Sequence, residues 1–338
     1  MAFFTPRQAI DDTMEEEVDN MKTEHIKSDY YQAVNGEWLE QAVIPDDQPS
    51  ISAFLELHLG IVKTLMDLTA KWEADQTGLS GNLKKFISLY KMTKNFEQRE
   101  KLGTKPFEVI LEKINSLESL KDLDRAFDDL TMESIETPFG FMVMQDFMNS
   151  NNQVLYFGAA SLFLPDTSYY KDEKTKEQLL GLFRQTTTNL LTLYGFSKEE
   201  TERLITEALA FDALLVPVTK SSVERADYVK MYNPMDKDEV RKLTTHFDVM
   251  AHADSLVKQP VDRLIVLNPA FINAFDSIIN EDNFHLAKSW MIISNAMQFS
   301  SDLTDEIRVA GGAFARALSG TKEARNKEKS AFYQAYNR

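Results

Sequence analysis

Amphipathic helical spacing recurs along most of the chain after a Gly-Leu-Ser-Gly break at residues 78–81, and it limits the fold to a body of packed helices. Leu83, Phe86, Ile87 and Tyr90 fall on one face. Pro106 suits the first turn of a helix carrying Val109, Ile110 and Ile114, and another helix is expected from about Leu120 to Leu130. Leu179, Phe183, Leu190 and Tyr194 form a stripe that Gly195 closes as a C-terminal cap. Ser197 and Glu200 have capping-box spacing ahead of Leu204, Ala208, Phe211 and Leu215, and Pro217 ends that helix. Further stripes run through Val240 and Leu243, through Leu286, Trp290, Ile293 and Met297, and through Ile307, Phe314 and Leu318 as far as Gly320. The texture changes at 141–147 and 153–158, two β-like runs joined by the polar 149–152, and at the strand-like 263–267. The expected fold is mainly α, a multi-helical lobe with a small β-hairpin. Residues 321–338 are charged and offer no evident closing element.

Upstream of the break the composition differs. Residues 1–29 form an acidic, polar arm. In YYQAVNGEWLEQAVIP at 30–45, Tyr31, Val34, Trp38 and Leu39 have near-helical spacing until Pro45. DDQPSISAF then reads as an exposed strand or loop, and a second helical pattern runs from Phe54 to Trp72 through Leu57, Ile61, Leu65 and Leu68. Three regions follow: 1–29, 30–78 and 79–338.

The chain has 338 residues, enough for one large or two smaller cores, and 43% are hydrophobic. Lys and Arg number 37 against 53 Asp and Glu, a net charge of -16 spread along the chain, which argues against nucleic acid or an anionic membrane as partner. Without cysteine, disulfides, thiolate metal sites and cysteine nucleophiles are excluded. Phe3 and Phe4 are followed by Asp11, Asp12 and Glu15 to Glu17, unlike a secretory signal, and no apolar run nears the roughly 20 residues of a membrane span. A cytoplasmic location is expected.

A zinc hydrolase helix sets two His four residues apart, about 40° around the helix, beside a carboxylate that activates water. None of the five His meets this. His246 and His252 are six apart, about 240° on a helix; His25, His58 and His285 are isolated. Gly311 and Gly312 lack the Lys-Ser/Thr of a phosphate loop and suit close helix packing. The pairs Asp11–Asp12 and Asp128–Asp129 lie in polar runs and read as solvated faces. The residues by themselves supply no catalytic group and no metal ligand set.

YQAVNGEWL with Val43, Ile44 and Pro45 resembles the N-terminal signature of the neprilysin family of zinc metalloendopeptidases, whose bacterial members are called endopeptidase O. Further matches follow in family order: FLPDTSYY at 163–170, ALAFDALL at 208–215, YNPM at 232–235, VLNPAF at 266–271 and LSGTKEAR at 318–325. The resemblance covers nearly the whole chain. Family members are roughly twice as long, with the HExxH zinc helix in their second half, so it implies an N-terminal region whose lobe ends incomplete.

That implies a zinc-dependent hydrolase of oligopeptides, with zinc bound by the complete enzyme and none by this chain, which alone is predicted inactive. About 34–74 would pack into a thermolysin-like catalytic domain missing from this chain, and about 82–338 would form most of a lobe enclosing the substrate cavity. The implied partners are an oligopeptide and the C-terminal catalytic half. Many members carry a substrate-binding Arg just beyond the Ile-Pro pair; ungapped alignment sets Ser50 there, with Leu55 at the position of a following Asp. Ser50, Ile51, Ser52, Ala53 and Phe54 are the expected substrate-lining residues, with a hydroxyl where a guanidinium would grip a carboxylate. The alternative is a non-catalytic helical module that binds peptides or proteins.

Overall fold

The computed structural model describes residues 26–338; the arm up to residue 25, with Asp11, Asp12 and His25, lies outside the described residues. The chain divides into two compact units, one reaching Asp75 and including Gly320–Glu323, the other spanning Gln76–Ser319 and Ala324–Arg338.

The first unit holds two helices, α1 (Tyr30–Gln41) and α2 (Ala53–Ala74). Asp29 caps α1 by accepting from the Gln32 amide, and Ser52 caps α2 through Leu55. The apolar spacing that predicts α1 is present, yet Tyr30, Tyr31, Val34 and Leu39 all face outward. The stretch read as strand or loop is a turn at Asp46–Asp47 followed by irregular chain to Ser52, with Ala53 and Phe54 already helical.

In the second unit, α3 (Gly81–Thr93), α4 (Phe96–Leu102), α5 (Lys105–Asn115) and α6 (Leu120–Met132) follow one another through short capped turns. Ser80, Asn95 and Ser119 each accept from a backbone amide at their helix starts. Then come β1 (Phe139–Asp146) and β2 (Asn149–Ala159), which pair antiparallel. The polar 149–152 belongs to β2, and Phe147–Met148 makes the turn, because Asp146 accepts from the Met148 amide at 2.9 Å and fixes the corner.

The helices α7 (Glu173–Leu193) and α8 (Lys198–Leu215) form an antiparallel pair; Gly195, at φ 90°, supplies the left-handed residue between them. Ser197 caps α8 through the Glu200 amide. A single turn, α9 (Ser222–Arg225), leads into β3 (Asn233–Asp236), α10 (Lys237–Leu243), α11 (Val249–Val257) and β4 (Arg263–Val266). The expected hairpin is therefore part of a larger sheet, ordered β1-β2-β4-β3, in which β4 runs parallel to β2 and antiparallel to β3. Buried Asp146 locks its corner, accepting from Tyr232 Oη at 2.7 Å and from Arg263 Nη2 at 3.0 Å.

Two short helices, α12 (Pro269–Asn273) and α13 (Phe275–Ile278), precede α14 (Phe284–Phe299), which packs lengthwise on α8 at the centre of the core. The stripe read as one helix from Ile307 to Leu318 is two, α15 (Asp305–Gly311) and α16 (Ala313–Ser319), broken at Gly312. Gly311 sits where a Cβ would lie 1.9 Å from Ser300 Oγ, so close approach is its role, as expected.

The C-terminal residues do close the unit. They form α17 (Lys327–Asn337), which buries Ala331, Phe332 and Ala335 against α3. Thr93 Oγ1 donates to the Ala331 carbonyl at 2.9 Å, and buried Arg99 reaches Gln334 Oε1 at 2.6 Å and the Ser301 carbonyl at 2.9 Å.

His246 and His252 do not share a helix. His246 lies in the turn before α11, and only His252 is helical. His252 is clamped: Nδ1 lies 2.7 Å from Asp128 Oδ1 and Nε2 lies 3.0 Å from Asp124 Oδ1, with its ring against Phe127 and Phe247. Asp128 is thus an inter-helix fastener and not a solvated face. His58 and His285 are exposed.

Candidate functional site

Ser50 is exposed, Ile51 half-buried, Ser52 and Ala53 exposed, and Phe54 projects with 86% of its surface in solvent. Ser52 is occupied as the α2 cap, its Oγ accepting from Leu55 at 3.2 Å. One turn further on, Glu56 accepts from Trp38 Nε1 at 3.1 Å, which ties α1 to α2. The loop between them is met by the 320–323 segment: the Asp46 carbonyl accepts from the Glu323 amide at 2.9 Å, and Lys322 lies 3.2 Å from the Asp46 carboxylate. The first and last of the six matched sequence segments are therefore neighbours. Among the described residues of this unit, Val62 is the one fully buried apolar side chain, whereas Phe54, Leu57 and Ile61 on α2 are at least half exposed.

The second unit carries a cleft of about 440 Å³ at the carboxyl ends of β2 and β4. Its floor is the chain from Gly158 to Ser161 with Leu267 and Asn268; its walls are the FLPDTSYY loop and the 218–231 segment. Gly158 permits the close approach, since a Cβ there would meet Leu267 Cδ1 at 3.1 Å.

Buried Asp212, from ALAFDALL, organises one wall. Its carboxylate accepts from the Phe163 amide at 2.8 Å and from Tyr170 Oη at 2.5 Å, while Tyr170 Oη accepts from the Leu164 amide at 3.1 Å. Burial raises the Asp212 pKa to about 6, although both hydrogen bonds oppose the rise. Tyr170 is pushed up by its own burial and by the Asp212 charge.

Asp166 is spent on the backbone. Hydrogen bonds from Ser168 and Ser222 hold its carboxyl well below the usual carboxylate range. Asn268 fastens the floor to the Val218 carbonyl, and Asn233 of YNPM bridges the Lys230 and Val266 carbonyls at 3.0 and 2.9 Å. Lys220 extends along the cleft and donates to the Lys230 carbonyl at 2.6 Å and the Leu267 carbonyl at 3.0 Å; desolvation lowers its pKa. Arg225 donates to the Lys220 carbonyl at 3.2 Å.

The geometry suits binding and orientation. Among the described residues, no three His, Cys, Asp or Glu side chains gather where they could hold a metal ion. No helix among them is long and apolar enough to cross a membrane. The expected lining residues, Ser50 to Phe54, are not in this cleft; its lining comes from three chain segments that periodicity does not connect. The matched FLPDTSYY, YNPM and VLNPAF segments were the available signal, since all three lie in or beside it.

The family model described as "Peptidase family M13" matches residues 26–337. The chain is 36% identical over 310 residues to the neutral endopeptidase of Lactococcus lactis subsp. cremoris, covering 90% of this chain and 48% of the relative. It is 20% identical over 331 residues to neprilysin-1 of Caenorhabditis elegans, covering 89% of this chain and 43% of that protein. The fold matches the crystal structure of PepO from Lactobacillus rhamnosis, with a TM-score of 0.86, 23% identity, and coverage of 92% of this chain and 49% of that one. The chain spans about half the length of the relatives it matches.

Proposed function

The chain belongs to peptidase family M13, the neprilysin family, and from that premise we propose that it is the N-terminal region of a zinc-dependent metalloendopeptidase that cleaves oligopeptides inside an enclosed cavity. In this reading the zinc and the residues that activate water come from a C-terminal catalytic half, residues 30–78 pack into that half, and 79–338 form the lobe. Ser50 to Phe54 line the substrate cleft, with Ser50 in place of the Arg that many members use to grip the carboxyl-side part of a substrate. The protein works in the cytoplasm on short unfolded peptides.

The observation that carries this reading is the imbalance in the first unit. Two helices that expose Tyr30, Tyr31, Val34, Leu39, Phe54, Leu57 and Ile61 have the surface of an element covered by something else. A catalytic half of the same protein is the cover that family membership supports.

The test is to mix residues 1–338 with a separately produced HExxH-containing half, following association, zinc content and cleavage of a quenched fluorescent peptide. Association that Leu57→Asp with Ile61→Asp abolishes, and cleavage only by the pair, are expected. Stoichiometric zinc or peptide hydrolysis by residues 1–338 alone would overturn it.

A further inference from the structure

We propose that the cleft between the FLPDTSYY loop and the 218–231 segment binds the free C-terminal carboxylate of an oligopeptide with an apolar last side chain; this deepens the reading of the protein as a peptidase of short peptides. The chain carries 53 acidic residues against 37 Lys and Arg, so a cation without a carboxylate partner is not the default. Lys220 and Arg225 both line the cleft, and neither makes an ion pair among the described residues. The acidic groups next to them are engaged elsewhere: Glu224 closes a capping box on Ser221, Asp227 pairs with Lys230 at 2.9 Å, and both Asp166 oxygens accept backbone amides. Among the residues that line the cleft, an entering anion therefore meets two positive charges against one carboxylate, Asp166, whose oxygens are occupied by backbone amides.

Lys220 is fixed by two carbonyls, so its charge is held at the cleft without a search through rotamers. Arg225 uses one guanidinium donor on the Lys220 carbonyl and keeps the rest of its planar fork, the arrangement that matches a carboxylate bidentately. At about 440 Å³ the cleft is of small-ligand size, within the roughly 300–1,000 Å³ common for such sites. Leu162, Leu164, Met231 and Leu267 supply apolar wall, while Ser161 adds a hydroxyl. One peptide terminus fits this pattern of a charged end beside an apolar body.

The experiment measures binding to residues 1–338 by fluorescence anisotropy, using a labelled tetrapeptide ending in Leu as the free acid and as the C-terminal amide. The acid is expected to bind about tenfold or more tightly than the amide, and Arg225→Gln to remove that difference without moving the thermal midpoint, since Arg225 is exposed. Lys220→Gln should do the same, with some loss of stability because two carbonyls lose their donor. Equal binding of acid and amide, or an acid preference that survives Arg225→Gln, overturns the proposal. So does displacement by acetate as effective, per mole, as by the unlabelled peptide acid, which would make the cleft a simple anion hole. Because binding is read on this chain alone, these outcomes stand apart from failure of the zinc-dependent hydrolysis test.

Discussion

Replacing Asp212 with Asn should change how stability depends on pH. Asp212 is a carboxylate enclosed between α8 and the FLPDTSYY loop, and burial raises its pKa from 3.8 to about 6. A carboxyl whose folded pKa lies above its unfolded pKa binds its proton more tightly in the folded state. Its contribution is therefore fully present below the unfolded pKa and is lost as pH rises through the folded one. Proton linkage between those two pKa values gives a loss of about 1.4 kcal/mol between pH 5 and pH 7.5. Asn keeps the shape, carries no charge and titrates nowhere in this range. Urea unfolding followed by near-ultraviolet circular dichroism, at half-unit steps over that interval, should show the unsubstituted chain weakening by about 1.4 kcal/mol relative to Asp212→Asn. Tyr170→Phe removes the 2.5 Å hydrogen bond that lowers this pKa, so the loss should shift to higher pH. Stability curves for the unsubstituted chain and Asp212→Asn that stay parallel, or a relative gain with rising pH, would refute the argument.

His252→Ala should destabilise the second unit by about 2–3 kcal/mol in the same urea assay, because two buried-side hydrogen bonds between α6 and α11 and two ring contacts vanish together. Gly311→Ala should lower the thermal midpoint, at a cost of about 1–3 kcal/mol for overpacking. Ser300→Gly in the same chain should recover much of that loss, since the added Cβ meets Ser300 at 1.9 and 2.4 Å.

Where apolar residues repeat on one helix face, the sequence reveals the element: α7 and α8 follow from Leu179, Phe183, Leu190, Leu204, Phe211 and Leu215, all in or against the core. Failures have physical causes. The polar start of β2, Asn-Ser-Asn-Asn, has turn composition, yet tight pairing with β1 around a two-residue corner overrides that preference. Four residues containing Pro234 carry no period by which β3 could be recognised. α17 is polar on average, and its signal is confined to Ala331, Phe332 and Ala335. As for the candidate cleft, no local pattern can reveal a site assembled from three distant segments. Its trace in the sequence was indirect: matched segments with no chemistry of their own, plus Lys220 and Arg225 in an acidic chain.

The parallel pairing of β2 with β4 also bears on the order in which the molecule can assemble. Tyr156 aligns with Ile265, and the chain between them makes α7, α8, α9, β3, α10 and α11 before it returns. Closing so long a loop has a large entropic penalty that local helix formation does not face. The α7–α8 hairpin can form as soon as its own residues are available, but the cleft floor, Gly158 beside Leu267, exists only once β4 has docked. Folding intermediates that are already strongly helical should therefore be unable to hold a ligand there, and ligand capture should report the last long-range step of folding.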